Sequence, residues 1–410
     1  MKKFLIASTL LALMSIGAKA QVTANGQTIE LTPWRTVQGE VQIAKVELQG
    51  PTIIDIRNIT ETPDTNFTLT ESKYLIIGKL HLVADYPIAK PKGKIIYFGP
   101  GEHNVEGDTL FVKSGQTVYL DKDATLNARI CIEGAKNVSI LGLGTVKPKK
   151  GEGIMVRRSS NVTINGPLTT QIPVGESSNV RISNTKVISW YAWGDGYNVF
   201  ASSDIHYNHI FARTSDDCTT IYCTRKGYKG SSRNISFKDA VLKADVAHPI
   251  MIGLHGDISL NEIIENVTYE DILILGQNEK QVDYMGCIGI NDGDNILVRN
   301  ISFNNLEIRD IQKGMLFNFR VCFNRKYCTA PGRGIQNISL KNISYTGPEP
   351  TLSIISGYDD ERSIDGIHFE NLIINGVKIS DDMPGKPTWY KTADLANIFI
   401  GEHCSDISFR

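Results

Sequence analysis

The sequence is poor in net charge, in paired cysteines and in long apolar runs. Its 43 basic side chains nearly match its 44 acidic ones, leaving a formal net charge of −1. That balance gives no overall attraction to nucleic acid or an anionic membrane, so any anionic partner has to be met by a local basic patch. The seven cysteines contain no Cys-x-x-Cys pair of the kind that holds zinc, and nothing in the sequence calls for a metal or another cofactor. Cys322 and Cys328 are spaced to close a short loop in an oxidising compartment, but the odd count leaves at least one thiol free. Helical periodicity is hard to find between Gln21 and about Pro87. The mostly apolar run Phe4–Ile16 is too short to anchor in a bilayer.

That run has another reading. Lys2 and Lys3 precede it and Ala18-Lys19-Ala20 follows it, the layout of a cleavable export signal. Cleavage is expected after Ala20, with a mature chain from Gln21 that is periplasmic or secreted and not inserted in a membrane. No cysteine follows the cleavage point, which argues against a lipid anchor.

Residues 21–88 carry alternating runs such as Val41–Leu48, Ile53–Ile56 and Tyr74–Leu82, and read as a small β-domain or cap. From residue 89 the chain becomes repetitive. NVSIL at 137, NVTIN at 161, NVRIS at 179, NISF at 234, NVTY at 266, NISF at 300 and NISL at 337 each place a polar residue before a short alternating strand. A coil of this length cannot bury its own apolar side, whereas stacked coils bury a continuous core. The fold class expected is therefore all-β: a right-handed parallel β-helix over residues 89–380. Asparagine side chains would ladder from rung to rung. Residues 381–410 break the pattern and read as a C-terminal cap, with a short helix within 392–398.

The chemistry concentrates between Trp190 and Arg225. Asp195 lies between two glycines, and Asp216-Asp217 follows about one repeat later. On neighbouring rungs these acids share one patch of surface, since strands in a sheet lie roughly 4.8 Å apart. Hydrolysis of a glycosidic bond needs one carboxyl group to protonate the leaving oxygen and another to activate water or attack. Crowding the acids raises the pKa of one, which lets it remain an acid near neutral pH. Consecutive strand residues point to opposite faces, so Asp216 and Asp217 serve one site only from a strand end or a bulge. Trp193 offers a flat face for stacking on a sugar ring. Tyr222 and Lys226, at the mouth of the same coil, are candidate substrate contacts.

Gly194-Asp195-Gly196-Tyr197 followed by Ser215-Asp216-Asp217-Cys218 resembles the paired signature of the polygalacturonases, glycoside hydrolase family 28. The likeness covers most of residues 90–375, and the chain is also similar to the dextranase and isopullulanase family (family 49). It implies inverting cleavage of α-glycosidic bonds in a polysaccharide, with Asp216 as general acid and Asp195 and Asp217 holding the attacking water. His248, in Ala247-His248-Pro249-Ile250-Met251-Ile252-Gly253, matches the family's histidine and would support the acid. One departure bears on the substrate. The family's basic pair, which grips a uronate carboxylate, falls on Gly286–Asn291, and that stretch has no basic residue. Either Arg320, with Arg325 and Lys326 one coil later, replaces it, or the substrate is a neutral polysaccharide. Two other functions remain open on the same fold: a polysaccharide lyase acting on a uronate polymer, and a non-catalytic carbohydrate-binding β-helix.

Overall fold

The computed structural model describes residues 19–410. The leader expected over residues 1–20 lies outside the described residues except for its last two positions. Residues 19–34 and 41–86 make one compact unit; residues 35–40 and 87–410 make the other.

In the smaller unit, Gln21–Ala24 pairs antiparallel with Gln27–Ile29 and with Thr52–Arg57. Val22, Ala44, Ile54, Ile56, Leu80 and Leu82 form its core. Tyr74–Leu82, a single alternating run in the sequence, is a hairpin: Lys73–Ile77 turns back onto Leu80–Asp85. Gly78 makes the turn at φ +56°, and a Cβ there would lie 1.9 Å from the Glu61 carbonyl oxygen. No other residue fits so close an approach.

The larger unit is a parallel β-helix. One sheet stacks eleven short parallel strands, from Thr109–Val112 to Ile398–Ile400. The opposing strands lengthen along the chain and reach 13 residues in Ser232–Ala244 and Leu297–Arg309. Inside, Tyr207, Phe237, Tyr269 and Phe303 stack in sequence, with ring centroids 4.3, 4.7 and 5.4 Å apart. The structure also explains the repeated asparagine. Asn137, Asn161, Asn179, Asn234, Asn266, Asn300 and Asn337 all have φ between 50° and 58°, the left-handed turn that asparagine tolerates better than most residues. Their amides form the expected ladder: Asn266 donates to Asn234, Asn300 to Asn266 and Asn337 to Asn300.

The β-helix does not stop at residue 380, as the broken pattern suggested. Ile398–Ile400 extends the eleven-stranded sheet, and Cys404–Phe409 pairs in parallel with Ile364–Ile374. The irregular stretch between is an insertion in the last coil. Its helix, Thr392–Leu395, is shorter than the run expected. Cys322 and Cys328 are free thiols, and Cys328 Sγ donates to the Asn324 carbonyl at 3.3 Å. No helix among the described residues is long and apolar enough to cross a membrane.

Candidate active site

The site forms on the outward face of the eleven-stranded sheet, where short strands leave long loops at both ends. Tyr197–Phe200, Thr219–Tyr222 and Ile250–Gly253 are consecutive rungs, with Tyr197 opposite Thr219 and Thr219 opposite Ile250. Asp195, Asp217 and His248 each stand two residues before these three partners. They therefore occupy equivalent places on neighbouring coils. Alternation sends Tyr197, Val199, Ile221 and Ile250 into the core and Phe200 and Tyr222 outward, where they floor a cleft of about 650 Å³. Loops ahead of the strands supply one wall, with Trp193, Asp195, Asp216, Asp217, Glu279 and Gln281. Loops behind them supply the other, with Arg225, Lys226, His255, Lys326 and Tyr327.

The glycines around Asp195 have a steric origin. A Cβ on Gly196 would sit 2.3 Å from the Cys218 carbonyl oxygen, and one on Gly194 would sit 2.3 Å from Ser215 Oγ. Only glycine lets this loop press against the turn of the next coil. Two serines tie the loops together. Ser189 Oγ donates to the Gly194 carbonyl and accepts from the Ser215 amide at 3.0 Å, and Ser215 Oγ donates to the Tyr191 carbonyl. Asp216 and Asp217 lie in the turn between the strands Ser203–Thr214 and Thr219–Tyr222. The turn frees them from strand alternation, and the Thr214 hydroxyl secures it by donating to the Asp216 carbonyl at 2.6 Å.

One oxygen from each of Asp195, Asp216 and Asp217 lies within 4.8 Å of the other two. Asp195 accepts from Asn198 at 2.7 Å and from Gln171 at 3.4 Å. Asp217 accepts three bonds: from the His248 amide at 3.1 Å, from His248 Nδ1 at 2.7 Å and from the Tyr222 hydroxyl at 3.3 Å. Asp216 accepts no side-chain hydrogen bond. Burial, then the charges of Asp217, Asp195 and Glu279, push its carboxyl up to about 9. Burial and the Asp217 charge push Asp195 up to about 7, against the pull of Asn198, Lys226 and Arg225. Of these two carboxyls, Asp216 is raised further.

His248 is fully buried and does not line the cleft. Its Nε2 faces the Tyr284 carbonyl, which can only accept, and its Nδ1 faces the Asp217 carboxylate. Nε2 therefore donates to that carbonyl, and a carboxylate at Nδ1 favours the imidazolium form. Burial opposes that charge, but the Asp217 carboxylate and the Tyr284 carbonyl outweigh it and raise the pKa above the ordinary histidine value. The sequence reading had His248 supporting the acid. The structure instead pairs it with Asp217.

Of the expected substrate contacts, Trp193 stands at the rim, 81% exposed, and Lys226 lies on the far wall with its ammonium 5.5 Å from the Phe200 ring centroid. Tyr222 lies in the floor with its hydroxyl committed to Asp217. Arg320 is not brought to the cleft: its guanidinium donates to Asn318 at 2.8 Å and to the Asp283 carbonyl. Glu279, Gln281 and Tyr284 were missed because they lie in an aperiodic loop. The same holds for Arg225, which follows the strand Thr219–Tyr222 and lines the cleft. His255 also lines it, edge-on to Tyr222 at 4.9 Å.

The family model for glycosyl hydrolases family 28 matches residues 39–385. The chain belongs to that family. Among solved structures, a family 28 exopolygalacturonase of Yersinia enterocolitica is similar at 11% identity and a TM-score of 0.52, over 95% of this chain and 93% of that one. A hyperthermoactive exopolygalacturonase of Thermotoga maritima matches at 13% identity and a TM-score of 0.49, over 69% and 84% of the two chains. A polygalacturonase of Erwinia carotovora ssp. carotovora matches at 14% identity and 0.47, over 75% and 86%. At such identities the likeness is one of fold, the right-handed parallel β-helix. The comparison with curated protein sequences gave no match. Family 28 membership makes the protein a glycoside hydrolase, and it sets aside the lyase and the non-catalytic binding module.

Proposed function

We propose that this family 28 protein is an exported hydrolase of α-glycosidic bonds in a polysaccharide, with Asp216 as general acid. The observation that carries this reading is the unequal treatment of three clustered carboxylates. Asp217 is held by three donors and Asp195 by two, while Asp216 accepts from no side chain and keeps its proton. A protonated carboxyl open to the cleft suits donation to a leaving oxygen. The carboxylates of Asp195 and Asp217 are close enough to hold one water between them, and removal of its proton makes the nucleophile.

Inversion follows if that water attacks directly. The separation, within 4.8 Å, is shorter than the ~6.5–9.5 Å usual for inverting pairs. That closeness favours a second reading, in which a carboxylate attacks and the anomeric centre is retained. Asp217 is poorly suited to attack, being buried and bonded on both oxygens, so Asp195 would be the nucleophile. Proton magnetic resonance of the first-formed product decides between them: a β-anomer from an α-linked substrate supports the water, and an α-anomer supports Asp195.

The basic wall bears on the substrate. Arg225 and Lys226 line the cleft and make no ion pair with a carboxylate among the described residues. A polysaccharide bearing uronate carboxylates would use both, in place of the basic residues missing from Gly286–Asn291. Rates on homogalacturonan and rhamnogalacturonan against dextran and pullulan test this, and faster turnover of the neutral glucans would overturn it.

A further inference from the structure

The two ends of the cleft differ. Towards the later coils, the loop 279–286 and the loop 322–328 meet across the outward face of the sheet. Gln281 Oε1 accepts from the Tyr327 hydroxyl at 2.9 Å and from Lys326 Nζ, and Asn324 Nδ2 donates to the Asp283 carboxylate at 3.3 Å. The Tyr284 and Tyr327 rings stack with centroids 4.6 Å apart. Beneath them, Asn318 donates to the Met285 carbonyl and Arg320 to the Asp283 carbonyl. The strands Ile288–Asp292 and Phe317–Val321 are thus roofed on the face that is open over Tyr197–Phe200. The loop 279–286 precedes Ile288–Asp292, which lies two rungs beyond Thr219–Tyr222. At about 4.8 Å per rung the closed end is roughly 10 Å from the acids. That leaves room for one or two sugar rings.

Towards the earlier coils the cleft runs on. Phe200 and Lys226 are shared with a second basin of about 170 Å³, which Arg157, Pro173 and Tyr228 also line. Gly175 makes this basin: a Cβ there would fall 2.4 Å from the Tyr228 ring, which stacks on Phe200 at 5.7 Å. Arg157 Nε is buried there without a hydrogen-bond partner, and its Nη2 reaches only the Met155 sulfur. The basin therefore offers an aromatic surface, flanked by the Arg157 and Lys226 side chains, to sugars of the chain that lie beyond the cleavage point.

We propose that the protein attacks chain ends: the terminal one or two sugars lie between the acids and the Gln281–Tyr327 wall, and the remaining chain extends over the Arg157 basin. The proposal rests on the hydrolase reading above. An endo-acting cleft would need both ends open, and the wall closes one of them.

The test follows solution viscosity and reducing ends together on the polysaccharide that the protein cleaves fastest, with chromatography of the earliest products. The expected result is a single mono- or disaccharide product from the first turnovers, with little loss of viscosity. A ladder of oligosaccharides with an early fall in viscosity would overturn the proposal and leave the hydrolase standing. No reducing-end release on any substrate would overturn both. The double variant Gln281→Ala/Lys326→Ala, checked for an unchanged melting temperature, removes the polar bridge across the end and should yield longer products. An unaltered product size would show that the wall does not set the register.

Discussion

At the residue scale, the site depends on placing three carboxylates together and committing two of them to hydrogen bonds. Replacing Asp216 with Asn should cut kcat roughly 10²–10⁴-fold, the usual contribution of a general acid. The same change should stabilise the fold. The Asp216 pKa, about 9 in the folded protein, lies above the ordinary carboxylate value of roughly 3.9. Between those values the folded state holds a proton that the unfolded state has released, so stability falls as pH rises. Removing the group removes that loss, and Asp216→Asn should melt higher than wild type at neutral pH, by on the order of 1 kcal/mol or more. An inactive variant that melts lower would contradict the assignment. Glu279→Gln tests the same electrostatics from outside the triad. Its charge helps keep the proton on Asp216, so its loss should move the alkaline limb of the kcat/KM profile to lower pH. A profile that stays in place would show that Glu279 has no hold on the acid.

At the scale of the element, the turns matter more than the strands. Gly196→Ala should pry the Asp195 loop from the Asp216 turn, because its Cβ has 2.3 Å to the Cys218 carbonyl oxygen. Activity should collapse while the aromatic stack of the core survives, which near-ultraviolet circular dichroism would show. On the opposite side of the coil, Asn300 combines φ 55° with two ladder bonds. Asn300→Ala loses both and should destabilise by roughly 1–3 kcal/mol in chemical denaturation. Asn300→Gly keeps the turn and should cost less, as Gly366 does in the equivalent place at φ 77°. These periodic elements were legible in the sequence because each coil repeats one steric problem. The Asp195 and Asp216-Asp217 turns were legible because glycines and paired acids leave a local signature. The loop 279–286 was not, since its position comes from packing over Asn318 and Gly289. Arg320 was misplaced for the same reason. Strand alternation does point it outward, but the loop above it has already covered that face.

For the whole molecule, a rigid stack converts sequence distance into rung distance. Residues as far apart as Asp217 and His248 meet because the intervening coil returns to the same face, and insertions are confined to the coil ends, where they build the two walls. This construction explains how a nearly neutral chain presents a basic wall to a substrate without any overall field. It also explains why the last coil could hold a 380–397 insertion and still close with Ile398–Ile400 on the sheet. Export of the protein is expected to leave Gln21 as the first residue. N-terminal sequencing of the periplasmic or secreted protein checks this, and an intact Lys2-Lys3 start would contradict it.

The central claim is that Asp216 supplies the proton in glycoside hydrolysis. The most direct measurement compares wild type with Asp216→Asn on the fastest polysaccharide substrate, then supplies both with a glycoside whose leaving group departs without protonation. The account predicts near-complete loss on the natural linkage and substantial recovery on the activated one, in a variant that melts no lower than wild type. Equal activity on the natural linkage, or equal loss on both substrates, would contradict it.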